Sequence, residues 1–199
     1  MPHFYGQESK SASEASLLQE KRREEHHEAD IVIVGAGIVG CALAVAFSRQ
    51  GRSVILLERS LKEPDRIVGE LLQPGGVQAL EKLGIAGKCS KRSRNLGVIT
   101  IGLPDCLENI DAIPVYGYEV IYHAEPVHIP YPAIAVQDGR RPKGRSFHHG
   151  RFIQNLRQAA ANEPNVTVVE STVTALVKND WTGQILGVEA KTRGEKECV

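Results

Sequence analysis

Three closely spaced glycines have the pattern that binds the diphosphate of a dinucleotide. Gly35, Gly37 and Gly40 form a G-x-G-x-x-G motif directly after the apolar run Ile31–Val34. The first glycine should permit a tight turn, the second let the backbone approach the phosphates, and the third let a helix pack closely on a sheet. Amides at the start of that helix, together with its dipole, attract anions. The motif predicts a site for the ADP half of FAD or NAD.

The elements around the motif predict a βαβ unit that ends in an acid. The Ala-rich segment Cys41–Phe47 is typical of a helix close to a sheet, and Ser53–Leu57 is typical of a buried strand. Glu58 follows that strand, 23 residues after Gly35. This is near the spacing of the acid that binds ribose hydroxyls, and a carboxylate there disfavours the 2′-phosphate of NADP. The alternative is an α/β turn whose glycines serve packing only.

Composition narrows the class of protein. The 199 residues carry 24 basic and 24 acidic side chains, so no nucleic-acid-binding surface is predicted. The four cysteines lack zinc-ligand spacing, which favours reduced thiols and no metal site. No apolar run approaches the roughly 18 residues that span a bilayer. Residues 1–28 are polar and are expected to form a disordered leader, whereas residues 29–199 are expected to form one domain.

Further elements are predicted along that domain from periodicity and turn residues. Prolines at 126, 130 and 132 indicate an irregular or edge region. A turn is expected over Asp180–Gly183. The predicted helices are Val77–Leu83 and Phe152–Ala161, and the predicted strands are Leu96–Ile101, Tyr116–Tyr122, Val166–Val169, Val173–Val177 and Ile185–Ala190.

Four other segments resemble the squalene epoxidase family. The most specific is Asp65–Gly76, which reads DRIVGELLQPGG; the others are Ile129–Pro132, Phe147–Phe152, and Ala159–Ala160 leading to Glu163–Asn165. The resemblance runs from about Asp30 to the end of the chain. It implies an α/β, Rossmann-like FAD-binding domain of the flavin monooxygenase (glutathione-reductase-like) type. The family's G-D-x-x-x-R-H-P and A-D-G segments are not present, so the domain is expected to be incomplete at its C-terminus.

The resemblance also implies roles for individual residues. Ile38 and Val39 match positions at the FAD diphosphate, Glu58 and Arg59 match the pair at the adenosine ribose, and Val173 matches a position beside the adenine. Other matched cofactor positions are Arg66, Leu71 and Arg157. Tyr118 and Gln73 match a hydrogen-bonded pair near the flavin, and both are expected to support the active site without acting as acid or base.

Simpler roles are open for several of these side chains. Arg66 and Arg157 are also consistent with surface cations, and Tyr118 with an ordinary strand residue. His148 and His149 are interpreted as structural, because no nucleophile or metal set accompanies them. Tyr116, Tyr122 and Tyr131 are assigned no role.

By resemblance, the expected function is FAD-dependent epoxidation of squalene to (S)-2,3-oxidosqualene with O2 in sterol biosynthesis. The expected electron donor is NADPH-cytochrome P450 reductase, and the expected location is the endoplasmic reticulum membrane. These residues by themselves are expected to bind FAD weakly and to show no turnover. The alternatives are another FAD-dependent hydroxylase or oxidoreductase, or a non-catalytic nucleotide-binding fragment.

Overall fold

The computed structural model describes residues 28–66, 70–86, 105–132 and 141–192, together with Leu17 and Lys21. The chain divides into two compact units, Met1–Leu61 with Ala160–Val199, and Lys62–Ala159. The leader lies outside the described residues except for Leu17, Lys21 and Glu28, and the predicted strand at 96–101 lies outside them entirely. The elements, in chain order, are β1 Ile31–Val34, α1 Ile38–Arg49, β2 Val54–Glu58, β3 Leu71–Leu72, α2 Pro74–Lys82, β4 Ile113–Val115, β5 Gly117–Tyr122, β6 Glu125–Pro130, β7 Gly144–Ser146, α3 His149–Ala161, β8 Val166–Lys178 and β9 Ile185–Thr192.

The first unit is a four-stranded sheet with the order β1-β2-β8-β9. β1, β2 and β8 are parallel, and β9 runs antiparallel to β8. The apolar residues of β2 are buried because the strand lies between two neighbours in the sheet. The predicted βαβ unit is confirmed. The core of the first unit includes Cys41, Ala44 and Val45 of α1, Val54 and Leu56 of β2, and Val166 of β8.

The two predicted strands Val166–Val169 and Val173–Val177 are one continuous strand, so their separation was wrong. β8 pairs with β2 as far as Glu170 and with β9 from Ser171 onwards. The backbone of the polar stretch between the two apolar runs therefore keeps its hydrogen bonds by changing partner. A register shift between Val173 and Ala175 marks the irregularity within the strand. The predicted turn at Asp180–Gly183 is confirmed.

An ion pair ties the end of α1 to the segment before β8. Nε and Nη2 of Arg49 lie 2.8 and 2.7 Å from Oε1 of Glu163, whose side chain is 7% exposed. The Asn165 side chain donates a 3.2 Å hydrogen bond to the carbonyl of Ser48 in the same region. These contacts fix the end of α1 against the start of β8.

The second unit contains a three-stranded sheet, β3-β7-β4, and a two-stranded ribbon, β5-β6. The ribbon confirms the predicted strand at 116–122. It also shows that the proline-containing segment predicted as irregular or edge is an edge strand, since β6 pairs with no described strand other than β5. Helix α3 confirms the prediction at 152–161 but begins earlier, at His149. Asn155 on α3 donates to the carbonyls of Cys106 and Glu108 and so holds the segment between them.

Helix α2 begins three residues earlier than predicted. Pro74 occupies its first turn, and Gln73 precedes it with an extended backbone. Proline suits this position, because the first helical amides have no partner within the helix. The two glycines after Pro74 weakened the helical pattern in the sequence, although the structure includes them in the first turn.

Candidate cofactor site

The three glycines of the turn between β1 and α1 have different surroundings. Gly35 has φ +98°, a backbone conformation that side chains disfavour. A Cβ on Gly40 would lie 1.9 Å from the carbonyl oxygen of Gly35, so only glycine fits there. A Cβ on Gly37 would meet nothing within 4 Å. Packing therefore explains Gly40, whereas the open space beside Gly37 fits the approach of a ligand.

The start of α1 offers backbone amides to an anion. Gly37 is the N-cap, and no side chain caps the helix or places an acid in its first turn. The next two residues, Ile38 and Val39, supply the first helical amides, and Val39 is 70% exposed. A helix N-terminus carries partial positive charge and suits a phosphate group.

Glu58 closes this turn from the end of β2. Its Oε2 accepts a 2.8 Å hydrogen bond from the Ala36 amide, and its Oε1 accepts a 3.2 Å bond from the Ser60 amide. The carboxylate is half-buried and remains able to accept further bonds, since each oxygen has two lone pairs. The structure thus brings the predicted ribose-binding acid to the glycine turn.

A cavity of about 350 Å³ lies beyond the end of β2 in the same unit. Arg59 lines it, as do Ser171 and Lys191. Ser171 is 4% exposed, and its hydroxyl has no hydrogen-bond partner. Val173, predicted beside the adenine, is half-buried two residues further along β8. Glu170 and three threonines also line the cavity, whereas Val173 does not. Hydroxyl and charged groups of this kind can hydrogen-bond to a nucleoside, and the lining therefore fits the adenosine end of FAD.

The predicted cofactor arginines of the second unit differ in their surroundings. Arg157 is 9% exposed and donates a 3.0 Å hydrogen bond to the carbonyl of Lys62. It therefore supports the segment that leads to Arg66, which is exposed. Leu71 is half-buried in β3. Residues 67–69, inside the DRIVGE motif, lie outside the described residues.

Among the described contacts no hydrogen bond joins Tyr118 to Gln73, and Tyr118 instead packs against a third residue, Tyr131. The Tyr118 and Tyr131 rings meet edge-on, with centroids 5.4 Å apart. Burial first, and then the Tyr118 phenol, raise the pKa of Tyr131 above its ordinary value. Sequence reasoning assigned Tyr131 no role. The only signal for it was its position in the IPYP motif.

His149 lies 2.7 Å from Oε1 of Glu70, through Nδ1, at the start of α3. This contact fits the structural role predicted for the histidine, although His148 is exposed. Within the described ranges, no group of three or more His, Cys, Asp or Glu side chains could hold a metal ion. Cys41 and Cys106 are both buried, and neither forms a disulfide within the part of the chain that the structure describes.

Comparison with known proteins agrees with this geometry. A family model described as FAD dependent oxidoreductase matches residues 30–64, which include the glycine turn and Glu58. A solved structure of PqsL, a probable FAD-dependent monooxygenase from Pseudomonas aeruginosa, shares the fold with a TM-score of 0.57. It is 19% identical, over 81% of this chain and 38% of that one. The chain therefore has the FAD-binding fold of the flavin-dependent oxidoreductases, and the predicted fold class and cofactor are confirmed.

Closer relatives narrow the class. The chain is 58% identical over 174 residues to a squalene epoxidase of Aspergillus fumigatus and 47% identical over 192 residues to one of Gibberella zeae. These alignments cover 87% and 89% of this chain, but only 32% and 35% of the relatives. The chain is homologous to the squalene epoxidases, as its motifs predicted, and it spans about a third of the length of these relatives. None of the described helices has the length and apolarity needed to cross a bilayer.

Proposed function

We propose that the chain is the FAD-binding portion of a squalene epoxidase, which converts squalene to (S)-2,3-oxidosqualene with O2. The observation that carries this proposal is the 47–58% identity to squalene epoxidases over nearly nine-tenths of the chain. The glycine turn supports it independently, because its open space and uncapped helix start suit a diphosphate.

The first unit holds the ADP half of FAD in this proposal. The amides around Gly37, Ile38 and Val39 bind the diphosphate, and Gly35 and Gly40 shape the turn. Glu58 accepts hydrogen bonds from the ribose hydroxyls while keeping its bond to the Ala36 amide. Arg59, directly after β2, and Val173, within β8, bind the adenosine in this proposal.

The second unit contributes Arg66, Leu71 and Arg157 to cofactor binding, and Tyr118 and Gln73 to the surroundings of the flavin. Part of the role of Arg157 is to hold the backbone of the segment that leads to Arg66, since its guanidinium donates a hydrogen bond to the carbonyl of Lys62. Tyr118 and Gln73 exclude water and orient the reactants, and neither transfers a proton. When bound, the reduced flavin supplies the chemistry of oxygen activation and transfer.

The proposal includes the electron supply and the location. NADPH-cytochrome P450 reductase delivers the electrons, and the whole protein associates with the endoplasmic reticulum membrane. Both statements rest on the homology, and squalene as substrate rests on it as well.

A chimera tests the proposal. Residues 30–192 would replace the matching segment of the A. fumigatus squalene epoxidase, with the unmodified fungal enzyme as control. We expect FAD binding and formation of oxidosqualene from squalene in the presence of the reductase and NADPH. Binding of FAD without turnover would contradict the assigned substrate, and a folded chimera without FAD would contradict the cofactor site. Glu189→Ala on the exposed face of β9 is a matched surface control.

A further inference from the structure

A buried tyrosine in the second unit has no use in the site described above. Tyr131, which follows β6, is only 6% exposed, and its hydroxyl has no hydrogen-bond partner. Most buried polar groups are hydrogen-bonded, so an unpaired phenol requires an explanation. Burial, and then the Tyr118 phenol, raise the pKa of this hydroxyl, but no described side chain meets it in hydrogen-bond geometry.

Tyr131 is the aromatic neighbour of Tyr118. The two rings are 5.4 Å apart and 84° to each other, the edge-to-face arrangement that aromatic pairs favour. Tyr118 is otherwise 43% exposed on a ribbon whose residues are mostly exposed. The buried ring of Tyr131 therefore restricts the rotamers of a side chain that solvent would leave free.

The position of Tyr131 is itself fixed. Its amide donates a 2.8 Å hydrogen bond to the carbonyl of Tyr116. A Cβ on Gly144 would lie 3.1 Å from the Tyr131 hydroxyl oxygen and 2.9 Å from the carbonyl oxygen of Leu72. The glycine in β7 thus leaves the space that the phenol occupies, beside the residue that precedes Gln73.

We propose that Tyr131 is a positioning residue for Tyr118 of the flavin-adjacent pair, and that its buried ring holds the Tyr118 side chain in place. This proposal deepens the proposed function and rests on it for the placement of the pair near the flavin. Tyr131 itself touches neither cofactor nor substrate in this role.

A spectroscopic experiment tests the positioning without any need for activity. The tyrosine rings of the chain would be labelled with ¹³C, and the Tyr118 signals assigned through Tyr118→Phe. We expect Tyr131→Leu to move the Tyr118 ring signals towards those of an exposed tyrosine, and Tyr131→Phe to preserve them. Tyr122→Leu, at a residue 71% exposed on the same strand, should leave them unchanged. Unchanged Tyr118 signals in a folded Tyr131→Leu protein would overturn the proposal.

Kinetics of the chimera test the consequence for function. We expect Tyr131→Leu to lower kcat per bound flavin by about 2- to 12-fold, the range given by an aromatic pair of this kind, with little change in KM. Combined with Tyr118→Ala it should add no further loss, because Tyr131 acts through its neighbour. Additive losses would contradict the proposal.

Tyr131→Phe covers the case in which the leucine variant does not fold. It keeps the ring and should therefore keep both the Tyr118 signals and the kcat of the parent. A folded Tyr131→Phe protein whose Tyr118 signals move to those of an exposed tyrosine would overturn the proposal. If the parent chimera has no turnover, the proposed function fails, and the ¹³C signals still decide whether Tyr131 positions Tyr118.

Discussion

Replacing Gly37 by alanine separates cofactor binding from folding at the glycine turn. The new Cβ would meet no atom of the protein within 4 Å, and the backbone at Gly37 has φ −87°, which alanine adopts readily. Alanine is a poorer N-cap than glycine, but it also lowers the entropy of the unfolded chain. These effects oppose each other, and we expect the free energy of unfolding to change by less than about 1 kcal/mol.

Binding of FAD should respond much more strongly to the same change. The methyl group of Gly37→Ala occupies the space through which a diphosphate reaches the first helical amides. Losing one charge-assisted hydrogen bond costs about 1.5 to 3 kcal/mol, and the Kd should therefore rise by about 10- to 150-fold. ADP should show the same loss, because the turn holds only that half of the cofactor.

Gly40→Ala is the matched comparison. Its Cβ would lie 1.9 Å from the carbonyl oxygen of Gly35, so the turn must move and the free energy of unfolding should fall by about 3 kcal/mol. Urea denaturation followed by circular dichroism measures stability, and flavin fluorescence measures binding. A folded Gly37→Ala protein that binds FAD and ADP as tightly as the parent would refute the assignment of the turn.

Three other predictions concern charge. Glu58→Ala removes the acceptor of a 2.8 Å hydrogen bond from the glycine turn. We expect the protein to lose about 1 to 3 kcal/mol of stability in denaturation experiments, and FAD binding to weaken by a similar amount in titrations. Arg49→Ala takes the guanidinium from the buried carboxylate of Glu163 and should cost about 3 kcal/mol in urea denaturation. Burial, and then the carboxylate of Asp105, raise the pKa of the Cys106 thiol from 9.0 to about 12. The thiol therefore ionises first in the unfolded state, and stability should fall between pH 9.0 and about 12, by about 1.4 kcal/mol per pH unit, in alkaline denaturation.

Each of these predictions has a control. Glu58→Gln keeps an acceptor oxygen and should retain part of the binding, and equal losses in both variants would argue against a hydrogen-bonding role. Glu163→Gln should cost less than Arg49→Ala, because it leaves no buried charge. Cys106→Ala should remove the alkaline component, and an unchanged slope would assign it to other groups.

Most of the cofactor site could be predicted from the sequence, because its residues lie close together in the chain. The G-x-G-x-x-G spacing, the strands on either side and the acid after the second strand lie within the 29 residues from Asp30 to Glu58. Each has a steric or electrostatic requirement that few residue types meet, such as the positive φ of Gly35 or the close contact at Gly40. The motifs of the later segments likewise indicated the homology to squalene epoxidases from the sequence alone.

Interactions between segments far apart in the chain could not be predicted from the sequence. The polar residues around Ser171 looked like a break between strands, because sequence periodicity does not show that β8 exchanges β2 for β9. Tyr131 resembled any other tyrosine until Tyr118, Gln73 and Gly144 were placed around it. Local spacing determined the type of cofactor and the first unit of the fold, since backbone sterics act over a few residues. Only the tertiary structure decided which side chains share a buried environment, because burial depends on chain segments that are far apart in sequence.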